Sequence, residues 1–164
     1  MKEPHILRAG NPRRIKANLR EVLDESALDA LEQALRDNVS ELVKLARQHY
    51  RFAARLGNFH WRHSVSRAYY GAYCAARAIR LFHTGHYSMD VKDHQRFGEL
   101  PEEFPQKDRF ANQLAVLRED RNACDYDHTI RASDLVLSKR EALALVEDFL
   151  AEVDTYLRTK GVTR

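Results

Sequence analysis

Apolar residues recur along this chain at intervals of three and four, the spacing of one helix face, rather than in the alternation of a half-buried strand. The first run, Leu28, Leu31, Leu35, Leu42, Leu45, His49, Phe52 and Leu56, predicts an amphipathic helix. It is opened by Ser26-x-x-Asp29, where each side chain can satisfy a free amide at a helix start. Asn38-Val39-Ser40 is a candidate break within it. Gly57-Asn58 supplies a stop and then an N-cap candidate, after which residues from about His60 to Phe82 are apolar almost all round, as in a central helix. Ala68, Gly71, Ala72, Ala75, Ala76 and Ala78 let neighbouring helices come close, while Tyr69, Tyr70 and Tyr73 fill volume and call for hydroxyl partners.

No long period survives from His83 to Lys107, and Pro101 and Pro105 forbid a continuous helix there. A connection of that length predicts a short helix or a functional excursion. Helical spacing resumes near Asp108 with Phe110, Leu114, Leu117, Arg121 and Cys124. The closing helix starts at a Ser138-x-x-Glu141 capping box, sets Ala142, Leu145, Val146, Phe149, Val153 and Tyr156 on one face, and ends near Lys160-Gly161. The fold class is therefore all-α, an up-and-down bundle of four to five helices. Residues 1–37 are expected to form a basic, partly helical N-terminal extension, and residues 38–160 the bundle.

Composition changes this picture little. The chain has 164 residues, 44% hydrophobic and 31% charged, which suits a single soluble domain with one core. No stretch of about 18 apolar residues offers a membrane span, and Met1-Lys2-Glu3-Pro4-His5 lacks the apolar block of a signal peptide, so the expected location is the cytoplasm. Cys74 and Cys124 are too few for a disulfide framework or a Cys-rich zinc module and read as buried thiols. Charge is uneven: residues 1–20 carry six basic side chains against Glu3 alone, on a chain whose net charge is only +3. Such an arm can contact RNA phosphates or an acidic partner, or simply be a solvated terminus.

Arg121 falls where its helix calls for an apolar residue, and a buried guanidinium is costly unless paired with carboxylate, phosphate or backbone oxygens. Asn122, Asp125, Tyr126, Asp127 and His128 follow it. An Arg and a His at a helix end can cleave RNA without metal. The His exchanges a proton with the ribose 2′-hydroxyl or the leaving oxygen, and the Arg stabilises charge growing on the phosphoryl oxygens. The alternative from spacing alone is an ion pair between Arg121 and Asp125, one turn apart, with His128 an ordinary exposed loop residue.

Two segments, Ser64-Val65-Ser66-Arg67-Ala68-Tyr69-Tyr70-Gly71-Ala72-Tyr73-Cys74-Ala75-Ala76-Arg77-Ala78-Ile79 and Arg121-Asn122-Ala123-Cys124-Asp125-Tyr126, together resemble the HEPN domain (higher eukaryotes and prokaryotes nucleotide-binding). The likeness is to its small stand-alone prokaryotic branch, with a Ser-Arg-Ala-Tyr-Tyr central helix and an Arg-x-x-Ala-Asp-Tyr motif. Cys124 stands in place of the usual Ala, and Lys92-x-His94 followed by Phe97 is similar to a Lys-Thr-His stretch of the family. The resemblance covers about residues 38–158. It implies a helical bundle pairing as a homodimer around a shared cleft, and metal-independent endoribonuclease activity with no cofactor. In that pattern Arg121 is the transition-state stabiliser, His128 the general acid or base and Asn122 a positioning residue, with six residues between Arg121 and His128. The resemblance also implies a toxin–antitoxin module with a nucleotidyltransferase as antitoxin, for which Tyr126 is a candidate modified tyrosine. The competing expectation is a non-catalytic adaptor that binds the transferase or its nucleotide through the same cleft.

Without a Gly-rich phosphate loop or a Gly-x-Ser-x-Gly elbow, P-loop hydrolysis and serine acyl transfer are set aside. RNA or nucleotide binding would fall to Arg67, Arg77 and Tyr126, as phosphate clamps and a stacking surface. Interhelical ion pairs are the alternative role for the two arginines. His60 and His63, and His83, His86 and His94, form two His-rich stretches, but neither carries the Glu of a His-Glu-x-x-His site, so no metal is expected.

Overall fold

In the computed structural model, which describes residues 10–85 and 97–162, helices succeed one another with no strand among the described residues. Five α-helices are present there: α1 (Pro12–Asn18), α2 (Glu25–Arg55), α3 (Trp61–Thr84), α4 (Lys107–Tyr126) and α5 (Lys139–Thr159), with single 3₁₀ turns at Asn58–His60 and Ala132–Asp134. None is long and apolar enough to cross a membrane. Lys92, and with it His86 and His94, lies outside the described residues.

The expected all-α bundle is thus the architecture found. α3 is its axis, packed against α2, α4 and α5. Its small residues explain why: Ala68, Ala72, Ala75 and Ala78 are fully buried, so backbones approach closely on several sides. At Gly71 the approach is tightest, since a Cβ there would lie 3.1 Å from the Ala46 carbonyl oxygen of α2 and 3.4 Å from the Tyr50 amide nitrogen. Large side chains fill the remaining volume, with Tyr69 edge-on to Phe97 at 4.8 Å and Phe110 tilted against Phe149 at 5.2 Å between ring centroids. The six apolar positions expected on the α5 face are all buried, and the Ser138–Glu141 capping box forms.

Two local expectations are revised. α2 begins at Glu25 rather than after Ser26, because the Asp24 carboxylate accepts from the Ala27 amide at 2.8 Å and caps the helix first. It runs unbroken through Asn38-Val39-Ser40: Val39 is fully buried, and Asn38 Nδ2 bonds back to the Ala34 carbonyl at 2.8 Å instead of competing with the helix. Position 38 is therefore a point within a helix whose earlier residues Ala34 and Leu35 already belong to the core. Residues 97–106 of the long connection form turns, while residues 86–96, where the expected short helix or excursion also falls, lie outside the described residues.

The basic segment is not a loose terminus over residues 11–18. Asn11 caps α1 with its side-chain oxygen and donates its Nδ2 to the Thr84 carbonyl at 2.8 Å, while Arg13 bonds the Phe82 carbonyl and lies over the Phe82 ring. These are carbonyls that the end of α3 leaves open, so α1 acts as a cap supplied from a distance. Gly85, at φ +69°, ends α3 in the left-handed region, and Asn11 occupies the space a Cβ would need.

Candidate functional site

Arg121 lies on the last turns of α4, facing α3. Its side chain keeps only 13% of its exposure, and three tyrosine rings surround the guanidinium carbon: Tyr69 at 5.4 Å, Tyr70 at 5.3 Å and Tyr126 at 5.4 Å. Nη2 donates to the Tyr70 hydroxyl at 2.7 Å and Nη1 to Asn122 Oδ1 at 3.1 Å. Nε is 2.9 Å from Asp125 Oδ2, the ion pair that i,i+4 spacing allows, yet it satisfies no hydrogen-bond geometry. It is the one buried side-chain nitrogen or oxygen without a hydrogen bond among the described residues. Burial opposes the charge, but the Tyr70 and Tyr126 hydroxyls and the Asp125 carboxylate outweigh it and hold the guanidinium above its ordinary pKa. Arg121 therefore stays a cation in a largely enclosed place.

The chain beyond α4 is fastened by Arg62 at the start of α3. One guanidinium collects the carbonyls of Cys124 (3.1 Å), Asp127 (2.7 Å) and Ile130 (2.6 Å), with His128 at 3.5 Å, while stacking over Trp61 at 4.9 Å. A cation here meets the negative end of the α4 dipole as well as its unpaired carbonyls. Asp127 tightens the same loop by accepting from the Thr129 amide and hydroxyl at 2.8 and 2.7 Å, contacts that lower its carboxyl pKa. The loop is thus built, but it carries the His128 side chain outward to an exposed position.

Between these two arginines opens a cleft of about 400 Å³ lined by Arg62, His63, Ser66, Arg67, Tyr70, Cys124 and Asp125. Residues 63, 66, 67 and 70 share one face of α3, which is why a single helix supplies most of the wall. Asp125 closes the opposite side, and Ser66 Oγ donates to its Oδ2 at 3.4 Å. Arg121 is hydrogen-bonded to one wall residue, Tyr70, and ion-paired with another, Asp125, and so stands directly behind the lining.

Of the residues singled out from the sequence, Arg121, Asn122 and Tyr126 come together, and Arg67 lines the adjoining cleft. Arg67 lies over the Phe52 ring at 5.9 Å and the Tyr70 ring at 6.0 Å. Its charge and, more strongly, burial hold neighbouring His49 below the ordinary histidine pKa. Arg77 sits about 15 Å further along α3, over Tyr73 at 5.5 Å, and is not part of the cleft. His128 does not line it either. The expected Arg121–Asp125 ion pair is present, as one component of a larger cage rather than as an isolated surface pair. Arg62 and His63 were visible in the sequence only as parts of a His-rich stretch; their roles depend on where α4 ends.

His60 and His63 lie with ring centroids 6.2 Å apart, and His83 Nδ1 is 3.5 Å from Glu103 Oε1. No cluster of three or more His, Cys, Asp or Glu suited to a metal ion occurs among the described residues. Both cysteines are free and buried, and burial raises each thiol pKa to about 11. No protein-family model, curated protein or solved structure matches the chain.

Proposed function

We propose that this protein is a homodimeric, metal-independent endoribonuclease of HEPN type, the toxin component of a pair with a nucleotidyltransferase. The observation that carries the reading is the Arg121 cage. A permanent cation is held nearly buried behind a polar cleft, with Nε lacking a hydrogen bond while Asp125 supplies only an ion-pair contact. A phosphodiester entering the cleft can take the place of the Asp125 carboxylate, one anion for another, and receive that donor. Guanidinium groups suit phosphoryl oxygens, and the effect grows where water is excluded. In this reading Arg121 stabilises the transition state, Asn122 steadies it through Nη1, and His128 exchanges protons from the rim. Exposed Phe52 and Tyr126 beside the cleft give a second copy of the chain an apolar surface to cover.

The second reading, a non-catalytic adaptor for the transferase or its nucleotide, draws on the outward position of His128 and its absence from the cleft wall. Digestion of mixed-sequence RNA in excess EDTA separates the two. The nuclease predicts fragments ending in 2′,3′-cyclic phosphate, with at least hundredfold loss in Arg121→Ala. Intact RNA with the wild-type protein would leave the adaptor.

A further inference from the structure

The cleft has an imidazole of its own. His63 and Arg67 are one turn apart on the face of α3 that forms the wall, so their side chains are neighbours. Neither makes a hydrogen bond or ion pair among the described residues: His63 has the His60 ring beside it, and Arg67 has the rings of Phe52 and Tyr70 and the nearby His49 imidazole, whose pKa its charge lowers. Every other charged group of the wall is engaged, Arg62 with four carbonyls and Asp125 with Arg121 and Ser66. An unpaired imidazole and an unpaired guanidinium therefore open into the same cavity of about 400 Å³, room enough for a phosphate and its ribose.

A row of exposed rings runs outward from His63. Phe59 meets His60 edge-on at 5.4 Å, and His60 meets His63 in the same manner at 6.2 Å. Phe59 is 91% exposed, and Phe52, under Arg67, is 52% exposed. Solvated rings flanking a basic cleft are what unpaired bases stack upon, regardless of sequence.

We propose that His63 is the catalytic base of this cleft and Arg67 its phosphate clamp, acting on single-stranded RNA. This rests on the ribonuclease reading but moves the proton transfer from the outward His128 to α3. His63 takes the proton of a ribose 2′-hydroxyl. The 2′-oxygen forms a bond to the adjacent phosphorus, and the bond from phosphorus to the 5′-oxygen breaks. That oxygen takes a proton from solvent, leaving a 2′,3′-cyclic phosphate and a 5′-hydroxyl with no water consumed. Arg67 holds the non-bridging oxygens, and the charged groups around His63 are Arg62, Arg67 and Asp125 on the wall, with Arg121 behind it.

The test uses the full chain with a single-stranded RNA oligonucleotide in EDTA, read as cleavage rate from pH 5 to 9. Affinity is measured in parallel by fluorescence anisotropy with the uncleavable 2′-O-methyl oligonucleotide. His63→Gln should lose at least a hundredfold in rate and the acidic limb of the rate profile, while binding the analogue within threefold of wild type. Arg67→Ala should weaken analogue binding at least tenfold. Both positions are exposed, so folding is preserved and is checked by circular dichroism. Arg121-dependent cleavage that survives His63→Gln with its pH profile intact overturns the inference and leaves the ribonuclease reading standing. RNA left intact by the wild-type protein overturns both.

Discussion

Arg62 shows how one side chain can decide where a helix ends. Its carbonyl bonds fix the exit of α4, so removing it leaves partly buried oxygens to find water and frees the loop that carries His128. Arg62→Ala should cost about 1–3 kcal/mol. Chemical denaturation should show the loss, and hydrogen exchange should quicken at the Thr129–Arg131 amides more than in α5. Asp120, at 4% exposure, works from the other side of the connection, accepting from the Val136 and Leu137 amides at 3.0 and 2.8 Å. The cysteines give a pH dependence. With folded thiol pKa values of about 11 against an ordinary 9.0, the folded chain retains protons that the unfolded chain releases. This contribution to stability is complete below about pH 9 and is lost as pH rises toward 11. Both thiols should resist iodoacetamide at pH 8 in the folded protein and react once it is unfolded in urea.

At the scale of elements, the α2–α3 crossing depends on Gly71. In Gly71→Ala the new methyl meets backbone atoms of α2, which cannot turn aside as a side chain would. The expected cost is about 1–3 kcal/mol, read as a lower melting temperature with helix content kept. Helix existence was legible in the sequence because long runs carry the 3.6-residue period and because Ser138 and Glu141 announce the start of α5. Boundaries were less so. Asp24 outcompeted Ser26 as a cap, and Asn38 proved harmless because its amide could bond back within the helix. Of the site, Arg121 was legible because a cation interrupted an apolar stripe. Arg62 was not, since nothing local marks which carbonyls will be left open 62 to 68 residues away. The docking of α1 on the end of α3 was hidden for the same reason.

For the molecule as a whole, the cleft lies on a face that also exposes Phe52 and Tyr126, the latter at 75%. If a second copy covers that face, sedimentation should give about twice the 19.1 kDa chain mass, and the double substitution Phe52→Asp, Tyr126→Asp should shift it to the monomer with an unchanged circular dichroism spectrum. A monomeric wild type removes the shared cleft from the proposal.

The central place of α3 also sets an order of events during synthesis. α2 and α3 are neighbours in sequence, joined by a single 3₁₀ turn, so their hairpin can close early and locally. The faces of α3 meant for α4 and α5 must then wait in water until the rest of the chain has left the ribosome. A message truncated before Lys107 would therefore release not a smaller bundle but a sticky hairpin, prone to self-association and a natural client for chaperones.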